Sequence, residues 1–559
     1  MIGCACKYTP IELICAFGGQ PVMISDPAEC FETAERLSHS NLCSYSKAFI
    51  ENFRRSGMNE LFLVNCCDSI RLAYDVLVSE GCLGFAFLMD LPNCGSGCST
   101  NQFQQELLRF MREYGEYKNS VFDTDAFLNA FEEPVGLPEG KFVGIMGARS
   151  YDSLITELEA RLPYTVHDMS CRGTRHVDGN LGFVESVFDI GAYAVALLSQ
   201  PLPCMRMDQP RRTAEVLLLP QLVGIVYHTI AFCDFYSFEY ELLRKKTKLP
   251  ILKIDSDFIS RNGGQISTRL DAFAESLTAI PSVTCTKTVT GKYVAGIDSG
   301  SATTKIVVMD SAGEICAQTL IRTGPKSILG AEKVFDIVMK ELGVSREAFA
   351  YITATGYGRS NIPFADEAVT EISCHAKGAR YINPAAQTVI DIGGQDSKII
   401  RLEENGNVLN FAMNDKCAAG TGRFLEMMAG TLELDMGEMS EKGLDWKRDL
   451  VISSVCTVFA ESEVISLIAD NHSEADIIHG LNKAIATKTA SLARRVGDNR
   501  GYMMTGGVAR NRGVVKELEN KLGAPIMVPD APDMCGAVGA ALYAHASAFG
   551  GSNTALLFG

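Results

Sequence analysis

Two short stretches carry the same set of residues suited to phosphate chemistry. In GIDSGSATTK, Asp298 is followed by Gly300, Ser301 and Thr304, and then by Lys305; in DIGGQDSK, Lys398 follows Asp391 at the same interval. An Asp at a strand end is a hard oxygen ligand suited to hold Mg2+, largely through water. The backbone N–H groups of Gly300–Ser301 and of Gly393–Gly394 can cradle phosphate oxygens, because glycine lets the chain approach closely. Lys305 can reach a phosphate or order its turn. Gln395 and Asp396 are candidates to position an attacking water. A third glycine-rich strand end, MMTGGVARN, supplies Gly506, Gly507 and Asn511 where a helix opens, a place suited to adenosine. Any one of these turns could be no more than a tight hairpin. Three in this order, two of them duplicated in spacing, read as an ATP site.

Cysteine is the second chemical resource. The chain has 559 residues, 19 Cys and 8 His. A disulfide scaffold would be short and secreted, and no Cys-x-x-Cys pair offers zinc spacing, so several cysteines read as buried apolar fillers and others as dispersed iron–sulfur ligands. Cys417 in NDKCAAGTGRFLEMMA and Cys456 in SSVCTVFAESEVIS each stand just before a helical pattern. A thiolate there is stabilised by the helix dipole and free N–H groups. Two cysteines are half of what a 4Fe-4S cluster takes, so a cluster on the axis of a homodimer completes the set. Cys316 alternates within a strand and Cys374 lies in a helical stretch, so both read as core; Cys535 falls in no recognisable motif.

The elements that must position these groups repeat. ELFLVNCCDSIRLAYDVL leads to GFAFLMDLP, and VGIVYHTIAFCDFYSFEYELL leads to PILKIDSDF: a buried strand, a Cys-Asp at its carboxyl end, a helix, another strand. KFVGIMGARSYDSLITELEARLPYTVHDMS is a third such unit with Gly-Ala-Arg in place of Cys-Asp. The alternation predicts parallel α/β sheets whose ligand sites lie at strand carboxyl ends, where Cys67 and Cys233 fall. Cys66, next to Cys67 on an extended segment, is expected to point the other way and pack. In the second half, YVAGIDSGSATTKIVVMDSAGEICAQTLI and QTVIDIGGQDSKIIRLEENGNVLNFAMN are equivalent hairpin units facing one another across a nucleotide. We expect an iron–sulfur domain over 1–280 with a subdomain break near 132–141, a Thr-rich linker at 281–292, an ATPase domain over 293–548 and a flexible tail at 549–559.

On GIDSGSATTK, DIGGQDSK, NDKCAAGTGRFLE, CTVFAESEVIS and TGGVARN, the second half resembles the activator ATPases of 2-hydroxyacyl-CoA dehydratases and the related benzoyl-CoA reductase subunits. The resemblance covers Tyr293 to about Ala548 and implies the two-lobed acetate kinase, sugar kinase, Hsp70 and actin fold, with one 4Fe-4S cluster shared by a homodimer. On CKYTPIEL, LCSYSKA, NCCDSIR, PCMRM and FCDFYSFEYELLR, residues 3–277 resemble the D-component of the dehydratases. That likeness implies a second iron–sulfur cluster on Cys43, Cys67 and Cys233, with one iron open to a substrate oxygen. Cys6 and Cys204 also lie in family-like motifs; as ligands they would make room for a larger double cluster, as in double-cubane proteins. Cys94 and Cys98 are explained by neither motif set.

The resemblance further implies reduced ferredoxin or flavodoxin as electron donor and reductive, ketyl-type dehydration of a 2-hydroxyacyl-CoA. A dehydratase pairs two different cluster subunits, so a separate subunit or a second copy is expected as partner. A double-cubane-type ATP-dependent reductase of small molecules is the alternative, and a nucleotide-responsive module of Hsp70/actin type without a cluster is the alternative of another class. No acceptor-binding insertion suggests a sugar kinase. The formal charge of −16 and the absence of a basic stripe argue against nucleic acid. No apolar run is long enough to span a membrane and the first residues do not read as a signal peptide, so a cytoplasmic protein is expected.

Overall fold

Strand–helix units of the first half become parallel sheets because their strands are apolar on both faces, which suits a sheet covered on each side by helices. The computed structural model describes all residues except 40, 93–96, 133–135, 174, 179–182, 185–186, 201, 260–263, 279–290, 405, 415–417, 419, 453–456, 498–500 and 551–559. The chain divides into two compact units, Met1–Leu270 and Asp271–Gly559. Most of the expected linker and tail falls outside the described residues, as do Cys94, Cys417 and Cys456.

The first unit holds two four-stranded parallel sheets. One runs Pro21–Met23, Ile2–Cys4, Glu60–Asn65, Phe85–Asp90; the other runs Ile251–Ser256, Leu222–Ile230, Phe142–Gly147, Thr165–Asp168. Phe62, Phe87 and Phe110 interlock at ring-centroid distances of 4.9–5.6 Å beneath the first sheet. Four helices of this unit begin immediately after a cysteine that serves as N-cap: Ser44–Ser56 after Cys43, Asp68–Ser79 after Cys67, Met205–Leu217 after Cys204 and Asp234–Lys246 after Cys233.

The second unit is built twice on one plan. Its first sheet runs Ile315–Arg322, Thr303–Asp310, Tyr293–Ser299, Phe349–Thr355, Glu367–Ala368. Its second runs Val408–Asn414, Ser397–Leu402, Thr388–Ile392, Tyr502–Thr505, Ile526–Met527. In both, three antiparallel strands are followed by two parallel ones. This is the mixed α/β, two-lobed plan expected of an actin, Hsp70 or sugar-kinase type ATPase. The helices Glu371–Ile382 and Cys535–Phe549 join the lobes through a seam of small residues. A Cβ added at Gly539 would stand 1.7 Å from the Cys374 carbonyl oxygen, and one at Gly378 would stand 2.1 Å from that of Cys535. Only glycine permits so close an approach. Cys374 and Cys535 are buried at this seam, whereas Cys316 is exposed. The expected burial of Cys316 is corrected by one residue of register, since Ala317 takes the inward position at 4% exposure.

Candidate functional site

The interval between Asp and Lys in each duplicated motif is a cross-strand register. Asp298 pairs with Lys305, and Asp391 with Lys398, on adjacent antiparallel strands. Side chains facing each other there are neighbours, and each pair forms an ion pair: Lys305 Nζ to Asp298 Oδ2 at 2.9 Å, Lys398 Nζ to Asp391 Oδ2 at 3.2 Å. Both carboxylates are buried. The turns beyond them approach across the lobes, since a Cβ on Gly394 would lie 3.0 Å from Ala302 Cβ and 3.6 Å from Ser301 Oγ. Gln395 and Ser301 are exposed at the rim, and Gly300 and Gly393 are half-buried. Gly506 holds a left-handed φ of +81°, and a Cβ there would meet Asp391 Oδ1 at 2.8 Å, which brings the third motif onto the second; Gly507 follows it at the start of a short helix.

Two proposed nucleotide residues serve the scaffold. The Thr304 hydroxyl is 2.9 Å from that of Thr323, which donates to the Gly300 carbonyl oxygen at 2.7 Å and so braces the turn. The Asn511 Oδ1 caps the helix Arg512–Leu522 by accepting from Val514 N at 3.0 Å, while its Nδ2 is buried without a partner.

Residues that the sequence did not single out complete the charge system. Lys398 Nζ also reaches Asp396 Oδ2 at 2.9 Å and Glu371 Oε2 at 3.4 Å. Burial works against this ammonium, but Glu371, Asp396 and Asp391 outweigh it and hold the proton on. Burial also pushes the Glu371 carboxyl up to about 7, against the pull of Lys398 and helped by the negative charge of Asp396, Asp391 and Asp298. Asp391 goes the other way: burial would raise it, yet His375 and Lys398 hold it at about 2. His375 Nδ1 lies 3.7 Å from Asp391 Oδ1 and 3.4 Å from the Thr505 hydroxyl, which itself donates to Asp391 Oδ1 at 3.1 Å. Two carboxyls in one cleft, one firmly ionised and one near neutrality, can divide metal binding from proton acceptance. Glu371 opens a helix behind the Thr370 N-cap, where a Glu ordinarily reads as a helix-dipole residue. That reading hid it.

The first unit gathers thiols. The Cys66 thiol lies beside those of Cys6 and Cys67, and the Cys171 thiol beside that of Cys204. Cys204 Sγ is 3.6 Å from the Tyr236 hydroxyl, and Cys43 Sγ is 3.2 Å from that of Ser46. Cys43, Cys66, Cys67, Cys171 and Cys233 pack on one core cluster, and Cys6 and Cys204 join Cys66 on the next, which brings all seven into one bay. The thiols that accept become more acidic: the Cys171 bond and the nearby Arg206 N–H and Tyr236 bring Cys204 down to about 5 against burial. Cys43 and Cys233 are pushed up by burial, the latter to about 12. Cys66 packs against both core clusters of the unit, and its thiol also lies beside Cys6 and Cys67. It lies past the strand end in a turn closed by Cys66 N to Val64 O at 2.7 Å, where strand parity no longer applies. Cys171 carries no motif signal. A cavity of about 400 Å³ opens beside the bay, lined by Asn65, Cys66, Cys67, Asp68, Arg206 and Phe235.

Among the described residues no three His, Cys, Asp or Glu side chains converge on a point that would hold a single metal ion. The donors fit a polynuclear group better: soft, dispersed thiols, several made acidic, at helix starts and from both sheets. Cys417 and Cys456 lie outside the described residues; the helices Gly422–Thr431 and Thr457–Ala469 follow them in sequence. No helix among the described residues is long and apolar enough to cross a membrane.

Comparison with known proteins places both halves. Residues 295–544 match the BadF/BadG/BcrA/BcrD ATPase family, and residues 6–134 and 142–277 match the 2-hydroxyglutaryl-CoA dehydratase D-component. The 2-hydroxyisocaproyl-CoA dehydratase activator of Clostridioides difficile is 44% identical over 252 residues, covering 45% of this chain and 94% of its own. The activator of lactoyl-CoA dehydratase of Anaerotignum propionicum is 46% identical over 256 residues, covering 46% of this chain and 98% of its own. The crystal structure of (R)-2-hydroxyglutaryl-CoA dehydratase component A from Acidaminococcus fermentans, 45% identical, covers 46% of this chain and 98% of its own with a TM-score of 0.45. The chain belongs to the BadF/BadG/BcrA/BcrD ATPase family and joins that ATPase to a 2-hydroxyglutaryl-CoA dehydratase D-component domain on one polypeptide.

Proposed function

We propose that this chain uses ATP hydrolysis to drive low-potential electron transfer from its ATPase half, residues 293–548, to its dehydratase-like half, residues 1–280. The observation that carries the reading is the presence on one polypeptide of a buried Asp–Lys phosphate site and a bay of seven thiols. Asp298 and Asp391 would hold Mg2+, and the turns at Gly300–Ser301 and Gly393–Gly394 would receive the phosphates. Gln395 and Asp396 orient the attacking water, and Glu371 accepts its proton, which its near-neutral carboxyl suits. Gly506, Gly507 and the end of the third motif receive adenosine. Cys417 and Cys456 would hold a 4Fe-4S cluster between two copies of the chain; Cys43, Cys67 and Cys233 would hold another in the first half. Bound there, iron–sulfur groups supply one-electron transfer at low potential.

The helix Thr457–Ala469 supports the homodimer, for it exposes Val458, Phe459, Ile465 and Ile468, the first two by 64% and 67%. An apolar row of this kind favours cover by another subunit. The cavity beside Cys66 and Cys67, with the Arg206 guanidinium on its wall, is the place for a polar small substrate such as a 2-hydroxyacyl-CoA that loses water. Reduced ferredoxin or flavodoxin serves as the donor in the cytoplasm, and a separate dehydratase subunit or second copy completes the substrate cavity. Fusion raises the local concentration of the two halves.

Purification without oxygen tests the reading. A brown protein containing iron and sulfide, whose spectrum loses one component on Cys417→Ser, supports it; a colourless, iron-free ATPase ends it. The extra thiols of Cys6, Cys66, Cys171 and Cys204 favour a second reading, a double-cubane-type reductase of another small molecule. Iron in the first half beyond one 4Fe-4S cluster selects it.

A further inference from the structure

The bay of the first unit contains a positive charge that no carboxylate among the described residues of the unit answers. Strand Phe142–Gly147 lies beside Leu222–Ile230 in the same parallel sheet, so their carboxyl ends are neighbours. Where the latter leads to Cys233, the former leads through Ala148 to Arg149, the arginine of the Gly-Ala-Arg that replaces Cys-Asp in the repeat. Arg149 is 3% exposed. Its Nη1 donates to the carbonyl oxygen of Ala5, the residue before Cys6, and its guanidinium carbon lies 4.9 Å from the ring centre of Tyr45, two residues after Cys43. The fork is thus fixed between the segments that carry two of the thiols.

Its remaining donors are unused: Nε and Nη2 are buried and have no hydrogen-bond partner. Arg212, the other buried arginine described in this unit, and the half-buried Arg175 are neutralised. Arg212 Nε is 2.7 Å from Glu239 Oε1, and Arg175 Nη2 is 2.7 Å from Glu12 Oε2. A buried guanidinium without an anion is strongly disfavoured, and guanidinium N–H groups in a fixed fork are suited to an anion with several acceptor atoms. The thiols around Cys6 and Cys43 are where such an anion would be held.

We propose that Arg149 is the charge-compensating donor of the thiol bay, its Nε–H and Nη2–H donating to the sulfur atoms of an anionic iron–sulfur group bound there and raising that group's reduction potential. The inference rests on the reading that this bay holds such a group. Arg149 is a positioning residue: it offers no electron pair to iron, and acts by hydrogen bonding and charge, which tune the potentials of such groups.

The test uses the full chain purified without oxygen, in a Cys417→Ser background that removes the other iron site. Arg149→Met is expected to shift the midpoint potential of the remaining signal to more negative values, or to lower its iron content while circular dichroism is unchanged. Arg149→Lys, which keeps the charge, is expected to recover part of the shift. In protein labelled with 15N-arginine, the reduced signal is expected to show a nitrogen coupling by pulsed EPR that disappears in Arg149→Lys. If Arg149→Met fails to fold, the labelled protein decides alone. Unchanged potential and iron content in Arg149→Met, or absence of the nitrogen coupling, overturns the role of Arg149 and leaves the proposed function standing. A parent protein without iron in the first half overturns both.

Discussion

The two halves of this chain manage buried charge in opposite ways. In the ATPase half, Asp298 and Asp391 each face a Lys on the neighbouring strand and pair with it inside the protein itself. In the first half, thiols cluster at helix starts and share protons with one another, while Arg149 is left with free donors. The first arrangement is complete as a protein; the second, on the function proposed above, would be completed by a bound group. A site that must cycle through empty and occupied states during each ATP turnover benefits from internal counter-ions. A site for a resident group can leave part of its stability to that group.

The largest expected effect follows from removing the counter-ion that serves three carboxyls. Lys398→Ala leaves Asp391, Asp396 and Glu371 around a buried gap, and should cost about 3–5 kcal/mol of stability in denaturant unfolding of the protein without ligands. A loss of much less than 1 kcal/mol would mean that this lobe, like the first half, waits for its ligand.

Next comes Glu371→Gln, which should lower kcat for ATP hydrolysis by about 10²-fold with the fold retained. Since the Glu371 carboxyl is raised to about 7 and must be ionised to accept a proton, kcat of the parent should fall as pH drops below 7, and the variant should lack that limb. Asp391 has the reverse sign in stability. Held at about 2 in the folded protein, it stabilises above its unfolded value of 3.8, and that contribution should fade as pH falls toward 2; Asp391→Asn should remove this part of the acid transition.

Gly539→Val tests the seam between the lobes. The added carbon atoms meet the Cys374 carbonyl oxygen, and overpacking of this kind should cost about 1–3 kcal/mol in thermal unfolding. The smallest effect is expected in the thiol bay. Cys171→Ala in the iron-free protein should change stability by about 1 kcal/mol or less, since a thiol is a weak donor. If that variant unfolds as readily as Lys398→Ala, the contrast between the halves is lost.

The ATPase plan was legible because its signal is written twice. Asp298–Lys305 and Asp391–Lys398 share an interval that is also a strand register, so a linear repeat reports a spatial pair. The strand–helix units of the first half were legible for a similar reason: apolar runs, a Cys-Asp stop and a helical pattern recur in order. What was hidden comes from elements distant in sequence. Glu371 and His375 lie on a helix outside both hairpins, and Glu371 reaches Lys398 only when that helix packs, whereas Asp396 comes from the hairpin's own turn. Cys66 packs, yet also stands beside Cys6 and Cys67, because alternation ends with the strand at Asn65. Cys171 lies in a segment with neither helical nor strand period, so no pattern could point to it. Cys316 shows that alternation fixes faces only once the register of the edge strand is known.

The hairpin turns bear on how such a protein can vary over evolutionary time. Both join their strands with four residues, Gly300–Thr303 in one and Gly393–Asp396 in the other, beyond the pairs Ser299–Thr304 and Ile392–Ser397. Their sequences, GSAT and GGQD, share a single position. Substitution within a turn leaves the ladder in place. Insertion or loss of one residue is another matter, since a slip of one sends every side chain of the strand to the opposite face and parts Asp from Lys. Drift in this family should therefore conserve the length of these turns, and a homologue with a five-residue turn should be one that has lost its ATPase.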